Sequence, residues 1–436
     1  MIAAMLGRFA DSFAVLRSAA AALLLLSYVG AQVARAEEAA KPAAAEASGP
    51  ADATTHRKLT IRGRELPFTI TAGSLPLRDG KGETQGTMYY VSYALDDAPA
   101  AERPVTLVFN GGPGAASAYL HIGALGPRVL DFGETGSPSE ASARLVDNPD
   151  TWLDFTDLVF VDPVGSGFSR AKSEDAAKQF WGVRQDIETL ARFVRLYLTQ
   201  ADRLASPKYL VGESYGGFRA AALPHHLATQ QGIALSGAIL ISPVIEFGLM
   251  SGGDSNPLAD ALRLPAYAAV KLERDGGTVD PTKLEEAERF ATGEYLQGLV
   301  DGGRDPERAA KLYAEVARRI GLPEEVVAKR HGRIPLEVFQ KEFRRGEGRI
   351  VSRYDGSASG ADPYPESWRV RSGDPILDGT RAAFTTGMLE YYRETLGVKT
   401  ELPYRLLNGE VGGKWDWRSG LGGGRQGYVG ATDDLR

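Results

Sequence analysis

From about residue 56 the chain opens with short apolar runs. Past residue 250 helical periodicity takes over. Residues 58–62, 66–71 and 87–94 alternate or run with β-branched and aromatic side chains, which predicts antiparallel strands at the start of the domain. Residues 105–110 (Val-Thr-Leu-Val-Phe-Asn), 158–162, 208–211 and 237–242 are unbroken apolar runs and read as buried strands. Residues 179–198 between them are amphipathic, with Val183, Ile187, Leu190, Val194 and Tyr197 on one face. Strands alternating with helices in this order predict an α/β fold with a mostly parallel sheet and crossover helices. Over 251–343 candidate helices fall at 257–274, 281–300, 306–320 and 323–329, several opening with proline. A helical block inserted after a sheet strand reads as a cap over the site; the alternative is a separate helical domain. Residues 344–374 are polar and rich in Gly and Pro, a loop, and 382–396 is a further helix. After 237–242 no convincing core strand is found, so 344–436 reads as an incomplete return to the core.

The N-terminus speaks to compartment. Arg8 and Arg17 precede an apolar run over 18–30, and Ala34-Arg35-Ala36 fits a small-residue cleavage site. This predicts a signal peptide over 1–36, cut after Ala36, and a periplasmic or secreted protein. The apolar run is shorter than the ~20 residues of a spanning helix, which favours cleavage over an uncleaved anchor. Residues 37–55 are rich in Ala, Pro and Glu and read as a disordered tether, with the first part of the core over 56–250. The remaining composition narrows the chemistry. With 43% hydrophobic and 24% charged residues the chain is ordinary for a globular protein. The net charge of -6 suggests no basic face and no nucleic-acid partner. There are no cysteines, which excludes disulfides, thiolate catalysis and cysteine-ligated metal. No His and carboxylate cluster has metal-ligand spacing, so neither metal nor cofactor is expected.

The candidate chemistry centres on Gly212-Glu213-Ser214-Tyr215-Gly216, between the apolar run ending at Val211 and a helical stretch from Phe218. Strand, sharp turn and helix with a serine at the apex is the nucleophile elbow, G-x-S-x-G. Glycines two positions to either side remove side chains that would collide in the strained turn. The amide after the serine then points at a developing oxyanion. Alone, the pattern is also compatible with a glycine-rich turn and an incidental serine. Asn110-Gly111-Gly112-Pro113-Gly114 follows another buried strand, as suits a ligand-facing corner. No Lys-Ser/Thr follows these glycines, so phosphate binding is not expected.

Three ordered motifs together resemble the serine carboxypeptidase family of the α/β-hydrolase fold. They are Asn110 to Gly114, then Asn148-Pro149-Asp150-Thr151-Trp152 with the run from Leu158 to Ser169, then Gly212 to Gly217. The absence of cysteines resembles the bacterial secreted branch. The resemblance implies that Ser214 is the nucleophile and that the amides of Gly112 and Tyr215 form the oxyanion hole. It also implies that Asn110, the Gly111 amide and Glu213 bind the substrate's C-terminal carboxylate. A protonated Glu213 could donate to that carboxylate, which would favour mildly acidic pH. The sequence departs from the family at Ala124, near where a second glutamate often precedes Gly126-Pro127.

A serine nucleophile needs a base, and in this fold the order is serine, acid, histidine. His56 and His121 precede Ser214. His225 and His226 lie 11 and 12 residues on, ~16–18 Å along a helix. His331 falls in the expected cap. The chain is therefore expected to stop before the acid and the histidine; neither Asp433 nor Asp434 is assigned as the acid. The expectation is a secreted serine-type carboxypeptidase by family, taking peptides with a free C-terminal carboxylate, and inactive over these 436 residues. An esterase or acyltransferase on the same scaffold, or a non-catalytic peptide-binding relative, are the alternatives.

Overall fold

The computed structural model describes residues 49–133, 143–250 and 255–417. The expected signal peptide, the expected tether up to Ser48, and Asp433 and Asp434 lie outside the described residues. The strands run in chain order β1 (Ala53–Ile61), β2 (Arg64–Arg78), β3 (Thr84–Leu95), β4 (Val105–Phe109), β5 (Arg128–Asp131), β6 (Arg144–Asp147), β7 (Asp157–Asp162), β8 (Arg170–Ala171), β9 (Lys208–Glu213) and β10 (Gly237–Ile241). The central sheet has the order β1-β2-β3-β7-β4-β9-β10, with β8 paired to β3. The β1, β2 and β3 strands are antiparallel, and β3 meets β7 antiparallel. From β7 through β4 and β9 to β10 every pairing is parallel.

Local rules explain most of these elements. Arg62 and Gly63 both have positive φ and join β1 to β2 with Ile61 opposite Arg64, the two-residue turn that matches strand twist. In the inner strands the side chains alternate between two cores. Leu107, Phe109, Val159, Val161 and Leu210 join the core under the helices Val183–Gln200 and Tyr215–His226. Val108, Leu158, Phe160 and Val211 join the opposite core, with Phe384, Met388 and Tyr391 from the helix Pro375–Glu390 and the turn after it. This period of two places both faces of the parallel strands in apolar surroundings, as such sheets require. The other edge differs. Ile239 of β10 is 42% exposed, and among the described residues no strand pairs with β10 on its far side.

Several expectations need correction. β1 starts at Ala53, so residues 53–55 belong to the sheet and not to the tether; their pairing with Ile70, Thr71 and Ala72 outweighs their poor composition. The helix expected from 179 starts at Val183, after a separate turn over Glu174–Ala177. The stretch expected as one helix over 281–300 is Pro281–Phe290, a π turn over Ala291–Tyr295 and Leu296–Asp301. The loop over 344–374 holds an antiparallel ribbon, β11 (Arg349–Val351) with β12 (Ser359–Ala361). The last helix begins seven residues earlier than expected, at Pro375, where Asp374 caps it through the amides of Ile376 and Leu377. The helices from Pro257 to Glu342 pack on one another around their own apolar cluster, which includes Leu264, Tyr295, Val316 and Phe339. No helix among the described residues is long and apolar enough to cross a membrane.

Candidate active site

Ser214 stands between β9 and the helix Tyr215–His226 with φ 59° and ψ -120°. A positive φ is costly for a residue with a side chain and persists only where surroundings over-determine it. Here they do. The Ser214 amide donates to the Ile241 carbonyl at 3.0 Å, and its own carbonyl accepts from the amides of Gly217 at 3.0 Å and Val244 at 3.1 Å. The flanking glycines are sterically required. A Cβ on Gly212 would overlap the Gly216 carbonyl, and one on Gly216 would overlap the Phe109 carbonyl. Gly212→Ala is therefore expected to lower stability by about 1–3 kcal/mol, the usual cost of overpacking. A urea midpoint equal to that of the unsubstituted chain would sink this reading of the turn.

Asn110 to Gly114 abut this elbow. A Cβ on Gly111 would lie 2.7 Å from the Tyr215 nitrogen and 2.8 Å from the Ser214 Cβ, so only glycine permits the approach. Gly112 has φ +103°, again a glycine conformation. The residues carrying the two expected oxyanion amides, Gly112 and Tyr215, thus come from touching segments. The Asn110 Nδ2 donates to Glu213 Oε2 at 3.1 Å, and the Gly111 amide faces the same carboxylate. Asn110 Oδ1 accepts from the Leu120 amide at 2.9 Å, which fixes the amide orientation. Asn110, Gly111 and Glu213 therefore converge beside Ser214. Burial raises the Glu213 pKa above the ordinary 4.5, against the opposing hydrogen bonds from Asn110 and Gly111.

Apart from Asp162, the other residues around this group lie outside the three motifs. Tyr119 lies within electrostatic reach of Arg381, Tyr354 and Glu213, and burial pushes its hydroxyl up to about 12. That hydroxyl has no hydrogen-bond partner among the described residues. Tyr354, just past β11, also senses Glu213, so the ribbon that follows the helical block reaches this neighbourhood. Ser117 is tied down from behind: its amide donates to Asp162 Oδ1 at 2.8 Å and its hydroxyl to the Val161 carbonyl at 2.5 Å. Asp162 is wholly buried, and burial raises it to about 7. Arg219, one turn into the helix after the elbow, has 0% exposure and pairs with Asp186. Both were legible as anomalies. Arg219 interrupts the apolar run Phe218 to Leu223, and Asp186 sits beside Val183 and Ile187 on a core-facing stripe.

The five histidines take the following places. His56 Nδ1 meets Thr69 Oγ1 at 2.9 Å on β1. His121 is buried, stacks on Phe160 at 4.2 Å and meets the Tyr93 hydroxyl; burial holds it down at about 3. His225 and His226 end the helix that begins at Tyr215, ~16 Å along its axis. His331 follows the short helix Glu324–Lys329. Among the described residues no group of three or more His, Asp or Glu could hold a metal ion.

Residues 63–248 match the family model described as serine carboxypeptidase. A probable serine carboxypeptidase of Arthroderma benhamiae is 30% identical over 39% of this chain and 32% of its own length. Serine carboxypeptidase 1 of Hordeum vulgare is 29% identical over 53% of this chain and 43% of its own length. The chain thus spans less than half the length of these curated relatives. A solved prohormone-processing carboxypeptidase of Saccharomyces cerevisiae is similar at 17% identity and TM-score 0.45, over 80% of this chain and 68% of that one.

Proposed function

We propose that this chain, whose residues 63–248 match the serine carboxypeptidase family model, binds the C-terminal end of peptides and presents the last peptide bond to Ser214. The observation that carries this reading is the convergence of Asn110 Nδ2 and the Gly111 amide on Glu213, next to the elbow serine. Two nitrogen donors and a carboxyl of raised pKa suit a peptide carboxylate, with the Glu213 proton shared between the two acids.

In the reaction, Ser214 Oγ attacks the last peptide carbonyl and loses its proton to a base. The amides of Gly112 and Tyr215 hold the oxyanion. The C–N bond then breaks, the amine takes the proton and leaves as the C-terminal amino acid, and water hydrolyses the acyl-serine. The substrate class is a peptide with a free carboxylate, in a periplasmic or secreted setting after removal of residues 1–36. The helical block from Pro257 onward serves as the cap. A second reading is favoured by the histidine positions: without a base near Ser214, the same pocket binds peptides and does not cleave them.

The test compares a blocked dipeptide with its C-terminal amide. Binding to the 436-residue chain is read from tryptophan fluorescence, since Trp415 and Trp417 contact the Tyr215 ring at 5.6 and 5.8 Å. The free acid is expected to bind at least ~10-fold more tightly, as a charge-assisted hydrogen bond lost from a buried site implies. Equal affinities would overturn the carboxylate site. Release of the terminal residue that disappears in Ser214→Ala supports the peptidase. Acid-selective binding without release, unchanged in Ser214→Ala, supports the binding protein.

A further inference from the structure

Arg219 and Asp186 form a wholly buried ion pair that the reaction above does not use. Their side chains are 1% and 5% exposed, with Arg219 Nε donating to Asp186 Oδ2 at 2.7 Å and Nη2 to Oδ1 at 3.4 Å. A buried ion pair is poor evidence of stabilisation, because desolvation offsets its attraction. The third nitrogen indicates another use. Arg219 Nη1 donates to the Asn110 carbonyl at 2.7 Å, with a longer 3.5 Å approach to the Gly111 carbonyl. In a trans peptide the carbonyl and the N–H point in opposite directions. Holding the Asn110 carbonyl therefore aims the Gly111 amide to the opposite side, where it meets Glu213. Holding the Gly111 carbonyl aims the Gly112 amide in the same way.

We propose that Arg219, oriented by Asp186, is the positioning residue that sets the two peptide planes Asn110–Gly111 and Gly111–Gly112, and with them the carboxylate-binding and oxyanion amides. The inference rests on the reading of Asn110, Gly111 and Glu213 given above. Its mechanics are specific to arginine. The guanidinium is planar and presents its donors in a fixed fork, so the edge bound to Asp186 fixes the direction of the nitrogen bound to Asn110. A lysine at this position offers one nitrogen and no such lever. Three segments distant in sequence meet here: the helix Val183–Gln200 supplies Asp186, the helix Tyr215–His226 supplies Arg219, and β4 leads into Asn110. The glycines at 111 and 112 make an outside restraint necessary, since neither carries a side chain to restrict its backbone.

The test uses Asp186→Leu with Arg219→Met, which replaces the pair by apolar groups without leaving a charge behind. Two readouts separate positioning from packing. Hydrogen exchange of the segment 109–115 is expected to accelerate at least ~10-fold at an unchanged urea midpoint, as local opening without global unfolding does. The free-acid to amide affinity ratio is expected to fall towards one. Unchanged exchange in this segment would overturn the proposal, whatever the affinity ratio. If the unsubstituted chain shows no preference for the free acid, the carboxylate reading fails, and the exchange result still decides the positioning role. If the double variant does not fold, Arg219→Lys decides: exchange over 109–115 about threefold faster or more supports the lever, and exchange as in the unsubstituted chain refutes it.

Discussion

Asp157→Ala is expected to destabilise the protein by about 3–5 kcal/mol, the cost of removing one partner from a buried charge network. Asp157 opens β7 and is 3% exposed. Its Oδ1 accepts from the Leu95 amide at 3.0 Å and from Arg103 Nε at 2.6 Å, and its Oδ2 pairs with Arg203 Nη1. The two arginine side chains are 10% and 7% exposed. Arg203 further donates to Ser206 Oγ at 2.6 Å and to the Arg103 carbonyl at 2.8 Å. This one carboxylate joins the end of β3, the approach to β4, the start of β7 and the turn before β9. Its loss leaves two guanidinium groups buried, close together and without their shared counter-charge. Against a total stability of about 5–15 kcal/mol, a change of that size is most of the margin. The expected result is a large fall in the urea midpoint at unchanged slope. A loss below ~1 kcal/mol, the range of exposed pairs, would show that water reaches the network.

Glu213 leads to the second large effect, on pH. Burial raises its pKa, and a bound peptide carboxylate adds a like charge that raises it further. Only the neutral acid can donate to the ligand, so affinity for a free-acid peptide is highest on the acid side. It falls by about tenfold per pH unit once pH exceeds the Glu213 pKa of the free protein, until the higher pKa of the complex is reached. The direction follows from the raised pKa; a depressed pKa would have put the loss at the acid end. The same sign applies to stability: burial of the Glu213 carboxyl favours the protein below the ordinary 4.5, and that contribution is lost as pH rises through the raised value. Glu213→Gln keeps a donor and removes the titration. Its affinity for the free acid is expected to be flat from mildly acidic to mildly alkaline pH. A titration of the unsubstituted chain with no slope over that range, or a Gln variant with the same slope, would remove Glu213 from the site.

Much of the site was legible because its parts obey local rules. The strand, turn and helix around Ser214 are contiguous, and the glycines at 212 and 216 are dictated by backbone overlap within one turn and its neighbouring strand. The helix Pro306–Ile320 begins and ends at the residues its periodicity predicts, with Asp305 before Pro306 as cap and Gly321 as left-handed terminator. Elements that depend on partners were misread. The ribbon of β11 and β12 has three residues per strand and exists through cross-strand pairing and contact with the helical block. Residues 53–55 look like tether until β2 is laid alongside.

The sequence by itself determined the alternating strands, the elbow and its serine, the helical block and the three motifs, because each is written in neighbouring residues. Only the tertiary structure decided which of those pieces meet. Parallel pairing of β4 with β9 sets Phe109 opposite Gly212, and that register alone carries Asn110 to Glu213 across 103 positions of sequence. The same packing buries Arg219 against the Asn110 carbonyl, 109 positions away. Such contacts leave no local pattern, since the free energy that selects them belongs to the closed sheet and its two cores rather than to any one segment.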